Sequence, residues 1–461
     1  MTSRPALFED AVAVGVPALS PERAVTWPQQ TKLRLSNGIE VVLAEAHSIP
    51  KFHGEIFFRS GNAAALDRGP ALADMTAAVV RTGTTKRVSR QIEEDLRRIG
   101  ADLSSSAGQD NSALAFAGLS EFSERLLDTV NELVRDASFP QPEFERERRQ
   151  KLEEVKLERT SPGFLAGERL RKVLFGAHPY GQVSASEAQV AAYTREKLIG
   201  VYHDFYTPEN ALLLLVGDFD SQAMLKTVEK AFGGWKGKKP ETKRAPAPPH
   251  PHGRRVHLVH VPGAVQTQIL VGCAAITRKH PDWVMLGLTN SLYGGAFNSR
   301  LVMNIREDKG YTYSPRSGVH PLREHGYFSV SAAVRNDVVA ASLTEIFYEM
   351  DKLRSLPVPA QELADAQNYL TGVFSMGLAT QEGLLSQLAT VALNELPDDY
   401  LETYRERVRV LTPEDLLNTA RRYFDSANMQ IVVVGDRTAI ESQAALFGDL
   451  EIYDAQGAAL K

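Results

Sequence analysis

The stretch TREKLIGVYHDFYTPENALLLLVGD, residues 194–218, returns as TPEDLLNTARRYFDSANMQIVVVGD, residues 412–436, without a gap and at a constant offset of 218. Thr194 matches Thr412, Leu198 matches Leu416, Phe205 matches Tyr423, Asn210 matches Asn428, and Gly217-Asp218 matches Gly435-Asp436. Ordered matches at one offset are the mark of a duplication. Each copy has a threonine placed to cap a helix, an amphipathic helix, an aromatic residue, a polar turn, an apolar strand and a Gly-Asp stop. Pro413 adds the residue favoured at a first helical position. Because the unit closes each half, two homologous domains of roughly 200 residues are expected.

The segment between the halves differs in composition. KGKKPETKRAPAPPHPHGRR, residues 236–255, is rich in Pro, Lys and Arg without apolar periodicity, which predicts an exposed, semi-extended linker that leaves the halves room to move. His250 and His252 belong to that solvated chain, where nothing would hold them rigidly as ligands. The expected division is an N-terminal extension over 1–27, a first repeat over 28–235, the linker over 236–255, a second repeat over 256–452 and a tail over 453–461.

Composition narrows the function classes. A chain of 461 residues with 43% hydrophobic and 24% charged residues is globular, and a formal charge of -5 makes no electrostatic case for nucleic acid. Cys273, the only cysteine, lies in ILVGCAA, so an intrachain disulfide and a cysteine zinc cluster are excluded, and a small hydrophobe on a strand is expected. The start lacks a continuous apolar h-region, and the run ALLLLV at 211–216 is too short to cross a bilayer. These features predict a cytoplasmic protein, with the periplasm as the alternative if a signal peptide has been removed.

Local patterns mix helix and strand. TKLRLS and IEVVLAE flank Asn37-Gly38, a hairpin signal, and HGEIFFR alternates as a further strand. Helical spacing covers 70–81, 88–99 and 122–137, with strands in ADLSSS and SALAFAGL, and 142–160 is a charged helix with one narrow apolar face. The fold class expected is α+β: two tandem homologous α/β-sandwich domains, each a mainly antiparallel sheet with helices packed on it.

LSNGIEVVLAE at 35–45, GPALADMTAAVVRTGT at 69–84, LFGAHPYG at 174–181, GGAFNSRLVMNIREDKGYTYS at 294–314 and the final VVVGD occur in an informative order. Together they resemble the pitrilysin and mitochondrial processing peptidase family, the inverzincins, and among them the small bacterial two-domain subunits. That resemblance implies a helix carrying H-x-x-E-H, with two zinc-binding histidines around a glutamate base. Counted back from Gly83-Thr84, those positions hold Asp74, Ala77 and Ala78, and the third ligand position falls on Glu154. Alanine neither binds zinc nor accepts a proton, so no zinc is expected on this chain. Asp74 is expected as a solvated helix residue, its pairing with Glu154 on a hard cation being the lesser reading. His257 and His260 fall on opposite faces of VHLVH and cannot share an ion.

The resemblance also implies an arginine and a tyrosine, seven residues apart, that hold the peptide carbonyl. MNIREDKGYTYS, residues 303–314, supplies Arg306 and Tyr313 at that spacing. Their N–H and O–H donors suit an oxygen that gains charge as water attacks. On residue type alone, Arg306 also fits an exposed helical ion pair with Glu307, and Tyr313 a half-buried strand aromatic. Arg300 is expected to support the helix, and Gly294-Gly295 to make a tight approach before it. The function implied is a non-catalytic, Arg/Tyr-contributing subunit of a heterodimeric zinc metalloendopeptidase acting on peptides. A homologous zinc-bearing partner would supply the metal, and the chain would be inactive alone. A scaffold subunit of the same descent, or a peptide-binding maturation helper, are the alternatives.

Overall fold

The computed structural model describes residues 27–241 and 245–460. The N-terminal extension expected over 1–27 lies, except for Trp27, outside the described residues. In the first half, β1 (Gln30–Arg34) and β2 (Glu40–Glu45) form a hairpin whose turn at Asn37-Gly38 is closed by the Gly38 N–H on Leu35 O (2.9 Å). There follow β3 (Lys51–Phe58), α1 (Leu72–Val80), α2 (Ser89–Arg98), β4 (Asp102–Ala107), β5 (Ser112–Leu119), α3 (Ser123–Asp136), α4 (Gln141–Glu158), α5 (Pro162–Phe175), α6 (Arg195–Phe205), β6 (Ala211–Gly217) and α7 (Ser221–Phe232). The second half runs β7 (Arg255–His260), β8 (Gln266–Ala275), α8 (Trp283–Asn290), β9 (Arg316–Pro321), β10 (Gly326–Arg335), α9 (Val339–Ser355), α10 (Ala360–Gly377), α11 (Gln381–Leu393), α12 (Tyr400–Arg409), α13 (Pro413–Tyr423), β11 (Gln430–Gly435), α14 (Arg437–Ala444), β12 (Asp449–Tyr453) and β13 (Ala459–Leu460).

The first sheet is ordered β1-β2-β6-β3-β5-β4 and the second β13-β12-β7-β11-β8-β10-β9. The block β2-β6-β3-β5-β4 therefore reappears as β7-β11-β8-β10-β9, with one parallel pair each, β2 on β6 and β7 on β11, in an otherwise antiparallel set. Beyond that block the halves differ. An antiparallel β1 flanks β2, whereas a parallel β12 flanks β7 and carries β13. Both sheets are mixed and mainly antiparallel, as the hairpin signals predicted.

Each sheet has one face on its own helices and the other on a helix from the opposite half. Helix α5 of the first half buries Leu165, Leu170, Leu174 and Phe175 against Val259, Val432 and Val434 of the second sheet. Helix α11, which starts 219 residues later, buries Leu384, Leu385 and Leu388 against Val42, Phe57, Leu212 and Leu214 of the first. This exchange gives the two halves shared cores. The relative motion suggested by the linker is thus restrained by apolar surface buried on both sides. Gly272 lets α5 approach β8, since a Cβ there would sit 2.8 Å from Leu170 Cδ2.

The expected helix caps divide. Thr412 Oγ1 accepts the Asp415 N–H (3.3 Å) and the Asp415 carboxylate returns a bond to the Thr412 N–H (2.9 Å), a closed capping box. Thr194 occupies the same place before α6 with extended backbone, but its side chain makes no cap hydrogen bond. The second copy has Asp415 three residues on, where the first has Lys197. Cys273 lies on β8, where burial pushes its thiol up to about 12, which leaves it inert at neutral pH.

Candidate functional site

The chain turns into α1 through Ala71, at φ 64°, and α1 then places Asp74, Ala77 and Ala78 one turn apart on one side. Ala77 is fully buried, and its carbonyl accepts from Ser105 Oγ (2.6 Å). Asp74 is not the solvated residue expected. Asn62, on the one-turn helix Asn62–Ala65, donates Nδ2 to its Oδ1 (3.0 Å), and burial raises the carboxyl pKa against the pull of that bond and of Lys151. Glu154 comes from α4, half-exposed, with its Oε2 3.1 Å from Lys151 Nζ. Lys151 itself is 8% exposed, so the space between α1 and α4 holds an ammonium.

Arg306 sits on a π-helical segment, Val302–Asp308, where an ordinary α-helix was expected. The wide turn is closed by Lys309 N–H on Asn304 O (3.1 Å), and Tyr311 N–H reaches back to Ile305 O (2.9 Å). π-Helical turns recur at functional sites. Arg300 fixes this segment with a bidentate pair to Glu362 on α10 (2.7 and 2.8 Å), and Asn304 bonds Glu345 and Glu349 on α9. Gly294 and Gly295 allow the tight approach expected of them, since a Cβ would lie 2.7 Å from Ser317 Oγ and from Asn290 Nδ2 respectively.

The structure brings Arg306 and Tyr313 together. The guanidinium carbon lies 4.9 Å from the Tyr313 ring centre and 4.8 Å from that of Phe297, so the arginine is held between two aromatics. The Arg306–Glu307 ion pair is also present, at 3.3 Å. Tyr313 is on a loop and 81% exposed rather than half-buried on a strand, and its hydroxyl bonds to none of the described residues. Phe297 was missed by sequence reasoning. The available signal was a large aromatic two residues after Gly-Gly in GGAFNSRL, and it is 72% exposed.

A cleft of about 1570 Å³ lies elsewhere, among Arg59, Tyr180, linker residues 236–241, Arg278 and Arg323; none of Asp74, Glu154, Arg306 and Tyr313 lines it. On its wall His178 meets Glu324 (3.4 Å) and His325. The Tyr180 N–H donates to His178 Nδ1 (3.1 Å), which puts the ring proton on Nε2, facing Glu324. This cluster is therefore a clasp between the halves rather than a set of free metal lone pairs. Asp110 strengthens it by accepting from Tyr180 Oη and from the Arg323 N–H. His257 and His260 have separate partners, Glu451 with Gln430 and the Arg437 N–H, consistent with their opposite faces.

Family models match most of this architecture: the insulinase family of M16 peptidases over residues 41–183, and the peptidase M16 inactive domain over residues 192–370. The chain belongs to peptidase family M16. It is similar to the uncharacterised zinc protease YmxG of Bacillus subtilis, 21% identical over 352 residues, which cover 76% of this chain and 85% of that protein. An uncharacterised zinc protease of Mycobacterium leprae is 26% identical over 317 residues, covering 68% and 70%. Among solved structures, a peptidase M16 inactive domain from Pseudomonas fluorescens superposes with a TM-score of 0.83 at 25% identity, covering 89% of this chain and 99% of that one. A Helicobacter pylori protease reaches 0.82 at 20%, covering 88% and 99%. The likeness therefore spans both halves and the linker between them.

The donor set tests whether the M16 motif positions suit zinc here. Catalytic zinc takes three protein ligands and leaves one position open. Two of the positions are methyl groups, and the two carboxylates already accept from nitrogen donors, Asp74 from Asn62 and Glu154 from Lys151. These residues do not fit zinc. Among the described residues, no helix is long and apolar enough to cross a membrane.

Proposed function

We propose that this chain is a non-catalytic subunit of a heterodimeric zinc metalloendopeptidase acting on peptides or unfolded protein segments. A homologous partner with an intact H-x-x-E-H would carry the zinc and the general base, and this chain would contribute Arg306 and Tyr313. The reading rests on one contrast. The motif positions hold Asp74, two alanines and Glu154, with the buried Lys151 beside them, while Arg306 and Tyr313 stand together on the surface with the Tyr313 hydroxyl free of partners among the described residues.

Zinc on the partner would polarise the attacking water and the scissile carbonyl. This chain's task is positioning. Phe297 and Tyr313 fix the plane of the Arg306 guanidinium, whose N–H groups then bind a peptide carbonyl. The Tyr313 O–H donates to the oxygen that gains negative charge, and a preorganised donor of this kind is worth about 10²–10³ in rate. The test is to co-purify the chain with an H-x-x-E-H homologue and measure peptide cleavage. Arg306→Ala and Tyr313→Phe should each lower kcat/KM by about 10²-fold with the complex intact. Full activity in both variants would remove the proposal, and stable association only with an unrelated complex would favour the scaffold reading.

A further inference from the structure

We propose that Lys151 stands in for the metal ion: its ammonium is the internal countercharge of the carboxylates between α1 and α4, and it bars a divalent cation from that place. On α4, Phe144, Glu147, Lys151, Val155 and Glu158 recur every three or four residues and form one stripe along the helix. Phe144, Lys151 and Val155 are buried, so the lysine stem packs in an apolar row and carries its charge inward. A buried lysine persists only when paired. Its Nζ is 3.1 Å from Glu154 Oε2, and Asp74, Glu147 and Glu158 all lie close enough for its charge to lower their pKa against the effect of burial.

Four carboxylates surround this ammonium, with Arg81 and Arg146 also acting on Glu147 and Arg159 on Glu158, and Glu158 Oε2 is buried without a hydrogen-bond partner. Such a group of acids would ordinarily attract a hard cation, since carboxylate oxygens are its usual ligands. Here a covalently attached cation already sits among them, and an incoming divalent ion would meet a like charge in low-dielectric surroundings. Loss of zinc in this chain is therefore more than loss of ligands. Putting the ligands back would leave the lysine in the way.

That consequence is testable on the full chain, independently of any partner. The variant Asp74→His/Ala77→Glu/Ala78→His restores the motif and keeps Lys151; adding Lys151→Ala removes the ammonium. Zinc titrated into each, with elemental analysis after dialysis, should show stoichiometric uptake by the fourfold variant and at least a 100-fold weaker Kd for the threefold one. Equal zinc affinity in the two would overturn the proposal. If the fourfold variant does not fold, single substitutions decide by thermal melting at neutral pH. Lys151→Gln should lower Tm clearly more than Lys151→Arg, which keeps the charge, and equal losses would mean that Lys151 only packs.

Discussion

Helices α4 and α10 hold equivalent places in the two halves, each starting directly after a proline, Pro140 and Pro359. The α4 stripe reads Phe144, Glu147, Lys151, Val155, Glu158; 219 residues on, α10 reads Leu363, Ala366, Leu370, Phe374, Gly377. Leu363, Ala366 and Leu370 pack into the core of the second half. The same helix in the same architecture thus works with an apolar stripe. The charges on α4 are therefore not a demand of the fold, and replacing buried charges by apolar residues is often neutral or stabilising. The inward charges of the first half have no counterpart on α10, and in the second half Arg306 and Tyr313 lie elsewhere, on the π-helical segment and the loop after it.

A strong way to break this comparison is through the exchanged helices. If the halves share cores as α5 and α11 indicate, damage to a first-half helix must appear in the second sheet. Leu170→Ala removes a fully buried side chain from the contact of α5 with β8 and β11. It should cost about 3–4 kcal/mol, the usual range for a core leucine that leaves a cavity. Hydrogen exchange should show lost protection in β8 and β11 as well as in α5. Loss confined to residues 28–235 would mean that the halves are independent domains.

A second difference between the sheets concerns one charge. Glu55 on β3 stands opposite Leu214 of β6, and in the second sheet Leu270 stands opposite Val432, which is Leu214 moved by 218 residues. Leu270 packs under α5. Glu55 faces the α11 side with no hydrogen bond or ion pair among the described residues, and burial pushes its carboxyl from 4.5 up to about 7. A pKa raised by folding favours the protonated, folded form, so its benefit is complete below about pH 4.5 and is lost as pH rises through 7. Glu55→Gln should therefore match the parent chain near pH 4.5 and exceed it by about 2 kcal/mol at pH 8, a value that allows for partial solvent exposure. Denaturant midpoints at the two pH values would check it. A gain of equal size at both would place the effect in packing rather than charge.

The parts legible in the sequence were those with local causes. The hairpin at Asn37-Gly38, the helices over 72–80, 89–98 and 123–136 and the repeated helix-strand unit follow from turn chemistry and periodicity, which neighbouring residues determine. The exchange of α5 and α11 was not legible, because an amphipathic helix shows that it must cover an apolar face and not which one. Arg306 and Tyr313 are candidates through their spacing within a family pattern, and the structure brings the two side chains together, whereas Phe297 has no periodicity to announce it. Lys151 was hidden among the charges of RRQKLEEV, where a lysine reads as solvated. Its spacing from Phe144 and Val155 was the clue that places it on the inward row. Asp74 was misjudged because Asn62, twelve residues earlier, reaches it only through the tertiary fold.

The smallest test returns to the repeat itself. Thr194 and Thr412 are identical residues at matching positions, but only Thr412 closes a capping box, with Asp415. An N-cap threonine that satisfies a backbone N–H is worth about 1 kcal/mol, and one that does not is worth little beyond its backbone preference. Thr412→Ala should lower stability by about 1 kcal/mol, and Thr194→Ala by only a few tenths. Lys197→Asp would supply the missing partner and should make Thr194→Ala as costly as its counterpart. A double-mutant cycle between positions 194 and 197 measures this directly. A coupling near zero would show that something other than the third helical residue separates the two copies, for instance the hydrogen bond that Tyr193 Oη donates to Pro70 O just before the first cap.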